Sequence, residues 1–470
     1  MTVFFFLTQK TQISTELHRL LFYAKIIMKR LIITAIICGM AVMGQAQGYT
    51  LDECIKMARD NNRALQNSQL SLQSSKEMQK EMRTKYLPEI SANFTAFHSF
   101  DKLITASGTL PQELVAFGEI NPDLAQMAGQ PFEVEELNKG YSATLSAMLP
   151  LYAGGQIMNA NKMAKLGYEI SELQLSLAEK DITQSVTETY WHLAQIKYNL
   201  RTIEQAEKQL EGVLRQVNDF VETGLTTSNS ALKVRLRQQE LASNRLKLEN
   251  AEKILRLLLS QQIGVQEADI ILPSNDVEQV MLDSAGNGER VELRLAGKAV
   301  EAQQLQVKLQ RGECLPTVAV GVVGFNTGFG GVSENVSNLT NTNITNGLAL
   351  ATVSVPISNW LGGSRATSRA KLKLRQQEND YLDAKEKLDI DTESSRLNAM
   401  EAWEQIQIAR TSVSEASENL RQANDLFNVG KTTITDLLDA ETLNRQALDR
   451  LSSAIAEYQI KVADWKRKVE

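Results

Sequence analysis

The chain is internally duplicated, and the duplication fixes what it can fold into. Phe220-Val-Glu-Thr-Gly224-Leu-Thr-Thr opens a helical run, and Phe427-Asn-Val-Gly430-Lys-Thr-Thr opens another, so the two glycines are offset by 206 in the numbering. Leu149-Pro150-Leu151 with Gly154-Gly155 recurs as Val355-Pro356-Ile357 with Gly362-Gly363, the prolines showing the same offset. Each junction leads into a helical arm, one from Gly155 to Gly224 and the other from Gly363 to Gly430. At roughly 1.5 Å per residue each arm is about 100 Å long, far beyond what a globular domain uses. A chain built from two such units spans a distance.

The arms carry a coiled-coil period. Ile182, Val186, Tyr190, Leu193, Ile196, Leu200, Ile203, Ala206, Leu210, Val213, Val217 and Phe220 follow one another in eleven steps. Their mean step of about 3.5 residues gives a left-handed supercoil. Leu448, Leu451, Ile455, Tyr458, Val462 and Trp465 repeat it near the end. Leu51 to Tyr86 is also helical in composition, with Thr50 and Glu53 forming an S/T-x-x-E capping pattern and Asn61-Asn62 a break. Pro88 stops that run, and Pro316 stops its counterpart, about Val291 to Arg311.

Strand patterns follow both prolines. Ile90, Ala92, Phe94 and Ala96 alternate with Ser91, Asn93 and Thr95; Tyr141, Ala143, Leu145, Ala147 and Leu149 alternate with Ser142, Thr144, Ser146 and Met148. Thr317 to Phe325 and Leu348 to Ile357 repeat the pair, with polar loops expected at about 101–139 and 326–346. Four strands of roughly ten residues have the length of bilayer-crossing strands, yet barrels start at about eight. An open edge in lipid leaves backbone groups unsatisfied, so a membrane reading requires several copies to pool their strands. A soluble periplasmic coiled-coil scaffold with a small ordinary sheet fits the same pattern.

Met28-Lys29-Arg30, the apolar stretch Leu31 to Met43 and Gly44-Gln45-Ala46 have the three regions of a secretory signal. The expected division is an upstream extension over 1–27, a signal peptide over 28–46 cleaved after Ala46, a first repeat over 47–264, a linker over 265–290 and a second repeat over 291–470. Cys38 lacks the small residue expected before a lipidated cysteine, since Ala35-Ile36-Ile37 precede it. Cys54 and Cys314 are expected as two buried free thiols in helical surroundings. No apolar run is long enough for a transmembrane helix, which needs roughly 18 residues or more. With 56 acidic against 50 basic residues the chain is not a simple nucleic-acid binder. His18, His98 and His192 are too scattered for a metal site, Gly328 to Gly331 lacks a following Lys-Ser/Thr, and no catalytic set stands out. The reading is therefore of a non-enzyme without a cofactor; Met78 and Met82, one helical turn apart, are read as core filling.

Four stretches carry a resemblance to a known family. They are Tyr49-Thr-Leu-Asp-Glu-Cys-Ile-Lys-Met-Ala-Arg-Asp-Asn-Asn, Leu149-Pro-Leu-Tyr-Ala-Gly-Gly, the Gly224 turn, and Val429-Gly-Lys-Thr-Thr-Ile-Thr-Asp-Leu-Leu-Asp-Ala440. In this order, and with the duplication, the chain resembles the TolC family of outer-membrane efflux and secretion ducts over its whole mature length. The resemblance implies an α+β membrane protein: a long α-helical coiled-coil barrel joined to a transmembrane β-barrel, four strands per chain and twelve in a homotrimer. It implies residence in the outer membrane of a Gram-negative bacterium, extending into the periplasm. It also implies service as the passive exit of a tripartite efflux or type I secretion system, with a periplasmic adaptor and, through it, an inner-membrane pump of RND or ABC type. The linker 265–290 would belong to an equatorial belt.

Carried over by position, the resemblance marks Gly224, Leu225, Asn428 and Gly430 as an adaptor-docking tip. It marks Asp436 and Asp439 as an Asp-x-x-Asp gate, three positions apart and so on one helix face. In a trimer these would place six carboxylates around one opening, where two charges about 6 Å apart repel by roughly 0.7 kcal/mol in bulk water and several-fold more when partly dehydrated. The chain departs from the family at the closing latch: Ser230 stands where an acid is expected, Phe427 for a tyrosine and Thr432 for an arginine, with Lys431 next to it.

Overall fold

The structure, a computed structural model, describes residues 48–98, 100, 106–109, 131–134, 139–274, 276–282, 289–330, 341–357 and 361–469. The upstream extension, the signal peptide with Cys38, and parts of the loops and linker lie outside these residues. In chain order the elements are α1 (Leu51–Asn61), α2 (Arg63–Thr84), β1 (Glu89–His98), β2 (Ala106–Thr109), β3 (Pro131–Val134), β4 (Lys139–Ala153), α3 (Gln156–Glu222), α4 (Ser228–Ile263), α5 (Val291–Gly312), β5 (Thr317–Gly330), β6 (Asn341–Ser354), α6 (Gly362–Asn428) and α7 (Ile434–Val469). The duplication extends to every boundary of the arms. Helices α3 and α6 have 67 residues each and α4 and α7 have 36 each. Each start and end in the second repeat keeps the offset that separates the two turn glycines.

The chain divides into two compact units, each taking a stretch of both α3 and α6. The first spans Asn67–Leu177 and Glu289–Ile390 and holds the strands. β1, β4, β5 and β6 form one antiparallel sheet in that order, with β1 and β6 at its edges. The register pairs Ile90 with Ala147, Ala92 with Leu145 and Phe94 with Ala143, so the apolar residues of β1 and β4 share one face. Ser91 pairs with Ser146 on the other face, where their hydroxyls lie 2.8 Å apart. Both faces of the β5–β6 pair carry apolar residues, Val318, Val320 and Val322 on one side and Val323, Leu348 and Leu350 on the other. β2 and β3 form a separate two-stranded sheet.

The strands are longer than the sequence pattern predicts. β5 runs on through Gly328 to Gly330 and β6 begins at Asn341, so the described residues of the polar loop expected over 326–346 are strand. Alternation marks a strand only while its faces differ in polarity; here Asn326 donates to Asn343 and Thr345 at 2.8 and 2.7 Å, and two polar strands pair through their own amides. At the other end β6 stops at Ser354, before Pro356, whose ring nitrogen cannot donate to a ladder. Cys314 also differs from expectation: it lies past the end of α5 and is exposed, whereas Cys54 on α1 is fully buried, and both thiols are free.

The second unit comprises the described residues up to Gln66 with those within Ala178–Gly288 and Asp391–Glu470. Its core is the predicted seam. Val186, Tyr190, Leu193, Ile203, Ala206, Leu210, Val213 and Val217 of α3 are buried, as are Ile455, Tyr458, Val462 and Trp465 of α7. The Thr50–Glu53 capping box starts α1, with Glu53 Oε2 accepting from the Thr50 backbone and hydroxyl at 2.9 Å each. Asn62 separates α1 from α2 and serves two helices. Its Oδ1 accepts from the Ala64 amide at 2.9 Å, capping α2, while its Nδ2 donates to the Gln262 carbonyl at 3.1 Å in the last turn of α4.

The described part of the linker packs into this unit and is held by tyrosines. Tyr190 Oη donates to the Ile271 carbonyl at 2.8 Å, Tyr198 Oη donates to the Pro273 carbonyl, and the Val280 amide donates to Tyr458 Oη at 2.8 Å. Tyr49 bridges to Ile270 in parallel, and Lys197 pairs with Asp269. These bonds satisfy an irregular backbone, whose Ala268, Ile270 and Val277 side chains enter the core.

Candidate functional site

The candidate site is the pair of turns joining α3 to α4 and α6 to α7. Both close the same way. Gly224 and Gly430 have φ of 76° and 70°, left-handed values that favour glycine, and a Cβ at either would meet nothing within 4 Å. Their constraint is therefore conformational rather than steric. The Leu225 amide reaches back to the Phe220 carbonyl at 2.8 Å, and the Lys431 amide to the Leu426 carbonyl at 2.9 Å, capping the two long helices.

The turns are drawn together by apolar packing. Phe220 and Phe427 have ring centroids 5.9 Å apart, and Phe427, Ile434 and Leu437 join Val217, Ala231 and Val234 in one core cluster. Gln216 on α3 donates to Asn428 Oδ1 at 2.9 Å, and Lys233 on α4 donates to Thr435 Oγ1 at 2.8 Å. All four candidate docking residues are exposed, Leu225 at 74%. Asn428 also spends its carbonyl oxygen on Gln216 within the chain.

The two candidate gate carboxylates differ. Asp436 Oδ2 accepts from the Thr433 amide at 3.1 Å, from Thr433 Oγ1 at 2.7 Å and from Thr432 Oγ1 at 2.9 Å, while the Asp436 amide donates to Thr433 Oγ1 at 3.2 Å. This is a capping box on the first turn of α7. The Thr433 hydroxyl, the Thr433 amide and the Thr432 hydroxyl hold the Asp436 carboxyl below its ordinary range. Asp439, one turn on, is exposed and has no hydrogen-bond or ion-pair partner among the described residues.

The latch positions are occupied differently from the family pattern. Phe427 is buried in the core cluster, Thr432 bonds Asp436, and Ser230 Oγ lies 2.8 Å from Thr226 Oγ1. Just above the turns lies a polar contact that hydrophobic periodicity does not reveal. Arg237 on α4 reaches the buried Glu441 on α7 at 3.3 Å, Thr442 at 2.7 Å and Glu240 at 2.7 Å. A carboxylate at a seam position opposite an arginine was its only sequence signal. Among the described residues no group of three or more His, Cys, Asp or Glu could hold a metal, and no helix is long and apolar enough to cross a membrane.

Comparison with known proteins agrees with this architecture. A search of curated protein sequences found no match. Solved structures share the fold: a membrane protein from Pseudomonas aeruginosa (15% identity, TM-score 0.71, covering 89% of this chain and 93% of that one), the CmeC outer membrane channel of Campylobacter jejuni (13%, 0.71, 89% and 85%), and the outer membrane protein VceC of Vibrio cholerae (14%, 0.69, 89% and 95%). The family model described as outer membrane efflux protein matches residues 54–261 and 287–464, which include both arms and both turns. The chain therefore belongs to the outer membrane efflux protein family, and is an efflux duct of the outer membrane that extends into the periplasm rather than an enzyme.

Proposed function

We propose that the chain works as a homotrimer, a passive exit duct whose periplasmic tip is opened by an adaptor. The observation that carries the assembly is the sheet. Its four strands end in β1 and β6, each with one side unpaired within the sheet, and every side chain described on β1 is exposed. Four strands cannot enclose a lumen, and an open edge in lipid leaves a row of backbone groups without partners. Pairing β1 of one copy with β6 of the next satisfies both edges, and three copies give twelve strands. The apolar face shared by Ile90, Phe94 and Leu145 then meets outer-membrane lipid.

The Gly224 and Gly430 turns form the adaptor-docking tip. Leu225 offers an apolar contact, with Gly224, Asn428 and Gly430 beside it. Asp436 and Asp439, repeated three times, line the opening and favour cations. The adaptor binds the open tip more tightly than the closed one and so shifts the population. Energy comes from an inner-membrane pump, of RND type in efflux or ABC type in type I secretion.

Purified protein in detergent should have the mass of three copies, and a cysteine pair placed across β1 and β6 should link different copies into a covalent trimer. A single copy that stays monomeric and unlinked contradicts the assembly. Replacing Asp436 and Asp439 together by Asn should weaken cation selectivity; unchanged selectivity removes the gate.

A further inference from the structure

The two halves of the four-stranded sheet carry opposite polarity on each face. Paired residues of an antiparallel ladder share a face, so rows of side chains run across all four strands. In one row Ser91 and Ser146 of the first half continue into Val323 and Leu348 of the second. In the next, Asn93 and Thr144 continue into Phe325 and Asn346. The other face inverts the order. There Phe94 and Ala143 continue into Asn326 and Thr345, whose side chains bond each other at 2.7 Å.

The first half decides which face is which. Its apolar face, with Ile90, Phe94 and Leu145, meets lipid in the assembly proposed above, so the face of Ser91, Asn93, Thr144 and Ser146 lines the lumen. On that lumen face Val323, Phe325, Leu348 and Leu350 form one apolar patch, and Met148 extends it by lying across Gly321. Leu348 is 46% exposed, and Val323 and Phe325 are half-buried. A barrel lumen is ordinarily polar, and the Ser91–Ser146 pair at 2.8 Å shows hydroxyls serving the same row of this sheet. An apolar patch left facing water marks a surface that another molecule contacts.

We infer that Val323, Phe325, Leu348 and Leu350 give the lumen wall a contact surface for organic solutes with an aromatic or branched-alkyl body, so that the duct itself discriminates among what passes. The inference rests on the exit-duct reading and adds the chemistry of the wall to it. Such contact is non-directional and grows with the apolar area removed from water, so it ranks solutes by apolar surface rather than by shape. In three copies the patch alternates with the hydroxyl-lined first half. A solute with one apolar and one polar side therefore finds a partner for each.

The test uses the purified full-length assembly in planar bilayers and two cations of equal charge, tetraphenylphosphonium and tetramethylammonium. Tetraphenylphosphonium should interrupt the current for longer per event. Val323→Thr combined with Leu348→Ser should shorten its dwell about tenfold, the loss expected when apolar side chains of this size leave a contact. The same pair should leave tetramethylammonium unaffected, Leu348→Met should keep the native dwell, and so should Val322→Thr on the opposite face. A normally conducting double variant with native dwell overturns the inference, as do equal dwells of the two cations in the native assembly; both results leave the duct reading intact. In proteoliposomes, with Cys54 buried and Cys314→Ser as background, a water-soluble maleimide should label Val323→Cys and spare Val322→Cys. Labelling of Val322→Cys alone puts the patch in lipid and overturns the inference. Equal labelling of both, or a native assembly that never conducts, removes the duct reading and the inference with it.

Discussion

Asn62→Ala should loosen two helix ends at once. The side chain is only 9% exposed and makes two bonds, accepting from the Ala64 amide at 2.9 Å and donating to the Gln262 carbonyl at 3.1 Å. Losing the N-cap of α2 costs about 1 kcal/mol. Leaving the Gln262 carbonyl without its partner adds about 1 kcal/mol. Together these amount to about 2 kcal/mol, or roughly a thirtyfold rise in local opening. The neighbouring Asn61 is the control: it is exposed and makes one side-chain bond, Nδ2 to the Ile263 carbonyl at 3.2 Å. Asn61→Ala should cost about 0.5 kcal/mol, a two- to threefold effect. Hydrogen exchange on the intact protein, read over residues 63–66 and 262–265, measures both ends. Equal effects from the two substitutions, or an Asn62→Ala effect confined to one end, would refute the double-cap reasoning.

Further outcomes follow from the charged and thiol groups. Burial pushes the Asp269 carboxyl up, but the hydrogen bonds from Lys197 and the Ile270 amide, with the charges of Lys197 and Arg256, bring it below its ordinary value. The stability it contributes is therefore complete above about pH 4 and is lost as the pH falls through the lowered value. Asp269→Asn should flatten that acid limb in a circular-dichroism titration; an unchanged limb argues against the pair. Burial, with Glu53 adding to it, pushes the Cys54 thiol up to about 11, whereas Cys314 is exposed. A maleimide should label Cys314 first and Cys54 only in denaturant, and rapid labelling of both in the native protein contradicts the packing of α1.

The helical architecture was legible because its signals repeat. The apolar seam from Ile182 to Phe220 falls on the buried or half-buried face of α3, and the paired glycines mark both turns. The Asn61-Asn62 break was equally plain, since asparagine competes for the backbone at helix ends. Strand extents were less so: β5 and β6 run into Gly, Asn and Thr, residues that compose loops and polar strands alike. Cys314 was misplaced because a helical composition continues past the last helical residue, Gly312. At the candidate site the sequence located Asp436 and Asp439 together but did not separate them. The signal was present: Thr433-x-x-Asp436 has the spacing that identified the Thr50–Glu53 cap. The Arg237–Glu441 contact was hidden for a different reason, because it joins side chains 204 residues apart and no local period reports such a pairing.

The central claim is that this chain assembles into a cation-favouring pore. Planar-bilayer conductance of the purified protein tests it most directly, recorded with and without millimolar divalent or trivalent cations. Discrete cation-selective openings that those ions suppress are the expected result. A folded oligomer that never inserts or conducts would contradict it.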